Sequence, residues 1–532
     1  EQAKKQGVAG DKLNNLEAQL APEIQIENIN NASPPQQQLN SLLEYYQNGQ
    51  YGDAEKLALS LAEKFPRHNF SRKVLAQIFK KTFRIPEALV ASQKAVEVDP
   101  QDVEAHYNLG NTLKQLGRLE EAEASYTRAI SLKPDYAEAY RNLGLTLQEL
   151  GRLDEAEASC TQAIALKPDF AEAHNNLGVT FQELGRLDDA ETSYTQAIQL
   201  KPDFAEAHNN LGATLLELGR LDEAEASYTQ AIALKSDYAE AQNNLIELLT
   251  FHVPQKESLQ PIVNVHQEIR EFDLKEEASG IISDGKTIDL IYKTSNIVEK
   301  HDLDIGSSLS QIYRRNSVDL NCQRHMEIFD KFNVIPKFCF GCYKVQVEPR
   351  SVLELIKLFV VFDQIKFSGN NTRKCMIEMR PYVSGFYKGI IYCSSLKEAY
   401  QIAEYLQMVV EEKIGSGISL AVKRGCSEYP ISFPDYKEIN KSGAQLMSYN
   451  EEWAPIEEDY DVKHSIKSQK IISPTVDCLS LSDVLIIRNW IDYARGIGDS
   501  SAQLLNQNEV VSQEIYKIAK TRLETHPWRE SA

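Results

Sequence analysis

The chain has 532 residues, 42% hydrophobic and 25% charged, an ordinary globular composition with length enough for several domains. Its 57 Lys and Arg against 77 Asp and Glu leave a net charge of −20; between Val103 and Tyr238 alone, 23 acidic residues accompany 11 basic ones. That excess argues against nucleic acid, whose backbone is bound by Lys and Arg displacing counterions, and the absence of any apolar run near 18 residues argues against a membrane.

Residues 1–34, rich in Gln, Asn, Ala and Pro, carry no helical or strand period and are expected to form a disordered linker. The chain opens without an apolar h-region, and its eight cysteines are spread unlike a small disulfide scaffold, so a reducing, cytoplasmic setting is expected.

From about Pro35 a 34-residue period sets in, first in degenerate form. Gly49, Ala54 and Pro66 fall where Gly117, Ala122 and Pro134 fall one clear copy later. The unit 69–102 keeps Leu75, Ala76, Ala88, Ala95 and Pro100 but has Phe83 where the other units have Gly. Four clear copies follow, beginning with VEAHYNLGNTLKQLGRLEEAEASYTRAISLKPDY at Val103. Within each, apolar and small residues recur at helical spacing in two runs broken by L-G-R-L. Gly117, Gly151, Gly185 and Gly219 supply the left-handed turn that ends the first helix. Gly110, Gly144, Gly178 and Gly212, with Ala122, Ala156, Ala190 and Ala224, let paired helices approach closely. Pro134, Pro168 and Pro202 stop the second helix. A half-unit, AEAQNNLIELL, closes the array, giving six units and a closing helix over 35–252.

These units resemble the tetratricopeptide repeat. The resemblance implies an α-solenoid of helix pairs whose first helices line a concave groove, and a role in holding other proteins. Asn108, Asn142, Asn176, Asn210 and Asn244 stand at the sixth place of successive units, and Asn175, Asn209 and Asn243 beside them widen the strip. The repeats are similar to those of O-linked N-acetylglucosamine transferases, in which asparagines at this place hold peptide backbone. An amide both donates and accepts, so it suits an extended main chain of any sequence. The alternative is that these amides satisfy neighbouring helices or water. The roughly 280 residues after the repeats are too few for that family's catalytic region, and glycosyl transfer is not expected.

Residues 253–316 read as a helical connector. Residues 317–436 read as an α+β domain: CYKVQVE, a helix over VLELIKLFVVFD, RKCMIEMR, YKGIIYC, a helix capped by Ser395 and Glu398, and ISLAVKRG. Strand, helix, strand, strand, helix, strand is the ferredoxin-like split βαβ order, with sheet order fourth, first, third, second and only the central pair expected to be parallel. Such a sheet would bring Cys339, Cys342, Cys393, Cys426 and Cys375 at least partly together. A C-x-x-C pair with two distant cysteines suits zinc or an iron–sulfur cluster, and Arg373, Lys374, Lys423 and Arg424 would lower the thiol pKa values. Inert buried thiols and a redox disulfide are the competing readings. Residues 437–532 read as an irregular segment followed by helices over 481–495 and 508–525. This C-terminal half resembles only uncharacterised regions appended to such repeats in bacterial proteins.

No nucleophile–base constellation emerges, so the expected function is an interaction scaffold or adaptor that binds a peptide or partner in the groove. The alternative is a metal- or redox-dependent enzyme whose cysteine-rich domain acts on what the repeats recruit.

Overall fold

The computed structural model describes residues 33–526 apart from 255–259, 273, 275–279, 302–304, 306–308, 315–319, 321, 368, 370, 382, 441–443, 464–477 and 506–509. Nearly all of the linker expected over 1–34 lies outside the described residues. Two compact units divide the chain, Glu1–Asp203 and Phe204–Ala532.

In the first unit the described residues form helix pairs: α1 (Gln36–Gln47) with α2 (Tyr51–Lys64), α3 (Phe70–Lys81) with α4 (Ile85–Val98), and α5 (Val103–Gln115) with α6 (Leu119–Leu132). α7 (Ala137–Glu149) pairs with α8 (Leu153–Leu166), and α9 (Ala171–Glu183) with α10 (Leu187–Leu200). Small residues set the spacing within a pair. Ala54, Ala88, Ala122, Ala156 and Ala190 are fully buried, and a Cβ on Gly110 or Gly178 would stand 2.6 Å from the ring of Tyr126 or Tyr194. Gly49, Gly117, Gly151 and Gly185 end the first helix of their pairs at φ of 72 to 75°. The same turn is imposed where glycine is missing: Phe83, 88% exposed, sits at φ 59°. The stacking of neighbours holds this residue in a backbone region that L side chains disfavour.

Much of the acidity in these repeats has a local use. Acidic residues occupy the first turn of α6, α8 and α10, where the helix dipole favours them. The arginine of each L-G-R-L pairs with one of them, as Arg118 does with Glu121 and Arg152 with Glu155. Arg152 also reaches Glu123 of α6, and Arg186 reaches Glu157 of α8. These pairs are solvent-exposed and add little stability individually.

The second unit begins with repeat helices α11 (Ala205–Glu217), α12 (Leu221–Leu234) and α13 (Ala239–Leu249), followed by α14 (Pro261–Arg270) and α15 (Asp284–Lys300). Then come β1 (Gln311–Arg314), α16 (Cys322–Phe332), β2 (Tyr343–Glu348), α17 (Val352–Gln364), β3 (Arg373–Ile377) and β4 (Tyr387–Cys393). α18 (Leu396–Lys413), β5 (Ser419–Arg424), α19 (Ala454–Lys463), α20 (Leu481–Ile497) and α21 (Gln513–Thr525) complete it. Strand β1 falls in the segment expected to be helical. The sheet order is β1-β3-β4-β2-β5, and every neighbouring pair is antiparallel. The central pair, β2 with β4, was expected to be parallel and is not. The crossover through α17 sets β3 parallel to β2 one strand away, and β4 returns between them, so it opposes both.

One hydrophobic core runs through this unit. Leu215, Tyr228, Leu245 and Leu249 of the repeat helices belong to the same cluster as Val345, Phe359, Ile391, Leu406 and Trp490. α17 is apolar on nearly every side because it lies under β3 and β4 and also touches α15, α18 and α20. α20 is buried along almost its whole length, from a capping box of Ser480 and Asp483 to Gly498 at φ 85°. Its polar groups are bound inside: Trp490 Nε1 donates to Ser310 O at 2.9 Å and Tyr493 Oη to Glu378 O at 2.5 Å. Arg314 of β1, 4% exposed, joins Asp363 of α17 at 2.8 Å and Asp483 of α20 at 2.6 Å, with its guanidinium 4.7 Å from the Phe359 ring centre.

Candidate functional site

Two ladder asparagines of the first unit, Asn108 and Asn142, bridge successive first helices. Gln77 Nε2 on α3 donates to Asn108 Oδ1 on α5 at 2.9 Å. Asn142 Nδ2 on α7 donates to Asn111 Oδ1 at 2.7 Å and to Tyr107 Oη at 3.1 Å, both on α5. Behind each ladder position a buried threonine four residues on returns its hydroxyl to the asparagine's own carbonyl: Thr112 to Asn108, Thr146 to Asn142, Thr180 to Asn176. Asn108, Asn142, Asn175 and Asn176 are all buried.

Asn176 breaks the series. Its Nδ2 is buried and has no hydrogen-bond partner. The sequence explains why. Asn142 finds its acceptors 31 and 35 residues earlier, at Asn111 and Tyr107. The same steps back from Asn176 arrive at Leu145 and Arg141. Leucine has no polar atom and a guanidinium only donates. Arg141 gives one NH to Asn142 Oδ1 at 2.5 Å and lies 5.6 Å from the Phe170 ring centre, and its Nε is likewise buried without an acceptor. Two unsatisfied donors thus stand at positions one repeat apart, where the preceding repeat has a closed rung. Buried donors of this kind are scarce because each carries a desolvation penalty of roughly 1–3 kcal/mol.

In the second unit, Asn209 Nδ2 donates to Glu240 Oε1 at 3.2 Å and Asn209 Oδ1 accepts from Asn244 Nδ2 at 2.9 Å, again between first helices. Asn210 is half-buried and receives Thr214 Oγ1 on its carbonyl; Asn243 is exposed. Sequence reasoning missed Tyr107, Asn111 and Arg141. A signal was present: the fifth place of the unit changes from Tyr107 to Arg141 to Asn175 to Asn209 while the sixth stays Asn.

The five candidate cysteines do not meet at one point. Cys375 and Cys393 lie in the main core, on the sheet face that carries Val345 and Ile391. Cys339 lies in a separate cluster with Ile335, Tyr429 and Tyr436, its Sγ 3.3 Å from Tyr429 Oη. Cys342 packs on the opposite sheet face with Met376, Ile390 and Tyr392; Cys426 packs against the Cys339 cluster, and its Sγ accepts from Lys344 Nζ at 3.7 Å. Among the described residues no three His, Cys, Asp or Glu side chains form a group able to hold a metal ion. The expected lowering of thiol pKa values is also overturned. Burial pushes Cys342 up to about 11 and Cys393 to about 12, and raises Cys339 and Cys375 as well. The neighbouring cations are committed elsewhere: Arg373 to the carbonyls of Phe362 and Ile365, Arg424 to those of Phe340 and Met447, and Lys423 to Glu348.

No helix among the described residues is long and apolar enough to cross a membrane. Tetratricopeptide-repeat family models match residues 91–124, 110–151, 135–203 and 175–239. Among solved structures, the chain is similar to YrrB, a tetratricopeptide protein with an unusual peptide-binding site, at 22% identity over 35% of this chain and 96% of that one (TM-score 0.30). It is similar to MamA at 27% identity over 31% and 97% (TM-score 0.29), and to PilW, a type IV pilus biogenesis factor, at 22% over 39% and 96% (TM-score 0.37). A comparison with curated proteins finds no match. Residues 91–239 of this chain are therefore tetratricopeptide repeats, helix pairs of a kind that serves as a protein-interaction scaffold.

Proposed function

We propose that the chain is an adaptor whose repeats hold an extended peptide segment of a partner protein, with the ladder face as the binding wall. The observation that carries this reading is the pair of unsatisfied donors, Asn176 Nδ2 and Arg141 Nε. Both lack an acceptor in the closed wall, and a peptide carbonyl or carboxylate would supply one once the side chains that cover them turn aside. The closed rungs at Asn108 and Asn142 give this wall a preformed backbone shape, so the reorganisation that opposes binding is confined to the side chains over Asn176 and Arg141. Asn175 and Asn210 extend the same strip in sequence. The acidic surplus of the repeats favours a protein over a nucleic acid as the ligand, and the compartment we propose is the cytoplasm.

The C-terminal sheet is proposed to be a ferredoxin-like split βαβ with β1 added beside β3, on the support of its strand order. It would act as a specialised module following a solenoid over 35–252 and a connector to 316. The test is a peptide selection on the full chain from a random library, followed by affinity measurement. Arg141→Ala with Asn176→Ala should weaken the selected peptides about tenfold or more while leaving the helical content unchanged. Equal affinity for the double variant would remove the ladder from the binding wall.

A further inference from the structure

The face of the sheet turned away from the main core carries a feature that the scaffold reading does not use. Lys344 of β2 lies opposite Tyr392 of β4, and Lys374 of β3 lies opposite Ile390 of β4 and Tyr313 of β1. Both ammonium groups approach the same aromatic ring: Lys344 Nζ is 5.3 Å and Lys374 Nζ 6.0 Å from the Tyr392 centroid. Both are half-buried, and among the described residues neither has a carboxylate partner. Lys344 Nζ donates to Cys426 Sγ at 3.7 Å, and Lys374 Nζ to Gln311 Oε1 at 3.1 Å.

The other two lysines of this face are neutralised. Lys388 is bound to Glu378 at 2.7 Å and Lys423 to Glu348 at 3.7 Å. A chain with 20 surplus acidic charges has no shortage of carboxylates. Among the described residues none of them reaches these two cations, which stand against one tyrosine ring. The thiols of Cys426, Cys342 and Cys322 are neighbours of Lys344, and partial burial strengthens the repulsion between the two amines. Such a pair is compensated by a ligand of opposite charge.

We propose that Lys344 and Lys374 form a binding site for a small phosphate-bearing metabolite on this face of the sheet. The phosphoryl oxygens would lie between the two ammonium groups, with Gln311 and Tyr313, 43% exposed, at the rim. Tyr392, Met376 and Ile390, covered by Leu320 and Cys342, form the apolar base behind the two lysines. Burial first, and then the charge of Lys344, brings Lys374 down to about 8. The groups that act on it besides Lys344 are the Cys322 thiol at the start of α16, the Cys426 thiol after β5 and Arg380. An anion favours the charged amine, so affinity is full below pH 8 and falls as Lys374 deprotonates above it.

The experiment is calorimetric titration of the full chain with inorganic pyrophosphate, with sodium chloride at matched ionic strength as the blank. Binding is expected in the wild type, weakened at least tenfold in Lys344→Met and in Lys374→Met. Lys374→Arg is the control for folding: it should retain binding and lose the decline above pH 8. Pyrophosphate heats no different from the chloride blank, or binding unchanged in both Met variants, would overturn the site.

Discussion

Arg141→Tyr tests whether the unsatisfied donors belong to the binding wall, because it rebuilds at Asn176 the rung that Asn142 already has. In the preceding repeat, Tyr107 Oη accepts from Asn142 Nδ2 at 3.1 Å while its ring lies 5.0 Å from that of Tyr136. Residues 141, 176 and 170 repeat this arrangement one period on, so a tyrosine at 141 meets Asn176 Nδ2 and the Phe170 ring. The gain is one satisfied buried donor, a net hydrogen bond of about 1 kcal/mol. Against it stand the loss of the Arg141–Asn142 bond and of the cation–π contact over Phe170, the latter worth about 0.5–1 kcal/mol and replaced by a ring–ring contact. Removal of the orphaned Nε adds to the gain, and the sum is a stabilisation of about 1 kcal/mol. With a urea dependence of about 2 kcal/mol per molar, the unfolding midpoint should rise by about 0.5 M in far-UV circular dichroism. Peptide affinity should fall about tenfold in the same variant, since both free donors have gone. Asn142→Ala sets the opposite reference: it removes both hydrogen bonds of that rung and should destabilise by about 1–3 kcal/mol. A variant at 141 that is less stable than wild type, or that binds peptide as tightly, refutes the reasoning.

Three further outcomes follow from the second unit and from the degenerate turn. Arg314→Met leaves Asp363 and Asp483 buried without their cation and should cost about 3–5 kcal/mol in chemical denaturation; a loss below 1 kcal/mol would mean that water reaches the triad. His266, almost fully buried, accepts from Leu481 N at 3.3 Å, and burial followed by Arg270 lowers its pKa to about 4. The folded form therefore resists protonation: its contribution is present above pH 6.5 and drains away towards pH 4, by about 3 kcal/mol in all. His266→Asn, which retains an acceptor, should flatten the fall in melting temperature across that window; an unchanged slope would assign it to other groups. Phe83→Gly relieves a left-handed non-glycine residue at an exposed site and should stabilise by about 1 kcal/mol, read as a higher melting temperature.

The repeats were legible because their constraints are local. A glycine at Gly117 or Gly151 declares its turn, and an alanine at Ala122 its close contact, without knowledge of anything distant. Phe83 was legible only as an anomaly, since the left-handed backbone there is dictated by the stacked neighbours. The asparagine period was equally visible, but what each amide touches depends on residues 31 and 35 positions earlier, a relation that exists only once helices are stacked. The cysteines show the same limit in a sheet. Cys393 lies opposite Tyr343, so adjacent Cys342 points to the other face; without that pairing the five thiols were free to be imagined together. Strand β1 is four residues long and owes its form to its pairing with β3, and α20 gives no sign in its sequence that nearly every side will be covered.

The single core of the second unit bears on how the chain is made. Helices α11–α13 bury Leu215, Leu245 and Leu249 in the same cluster as Trp490 and Ile497. During synthesis those repeat helices leave the ribosome roughly 250 residues ahead of α20, a delay on the order of 10–50 s at typical elongation rates. For that interval their apolar side has the cover of α14 but lacks the part that α20 supplies. A polypeptide cut short before α20 would carry the exposed surface permanently, and its expected fate is aggregation or proteolysis.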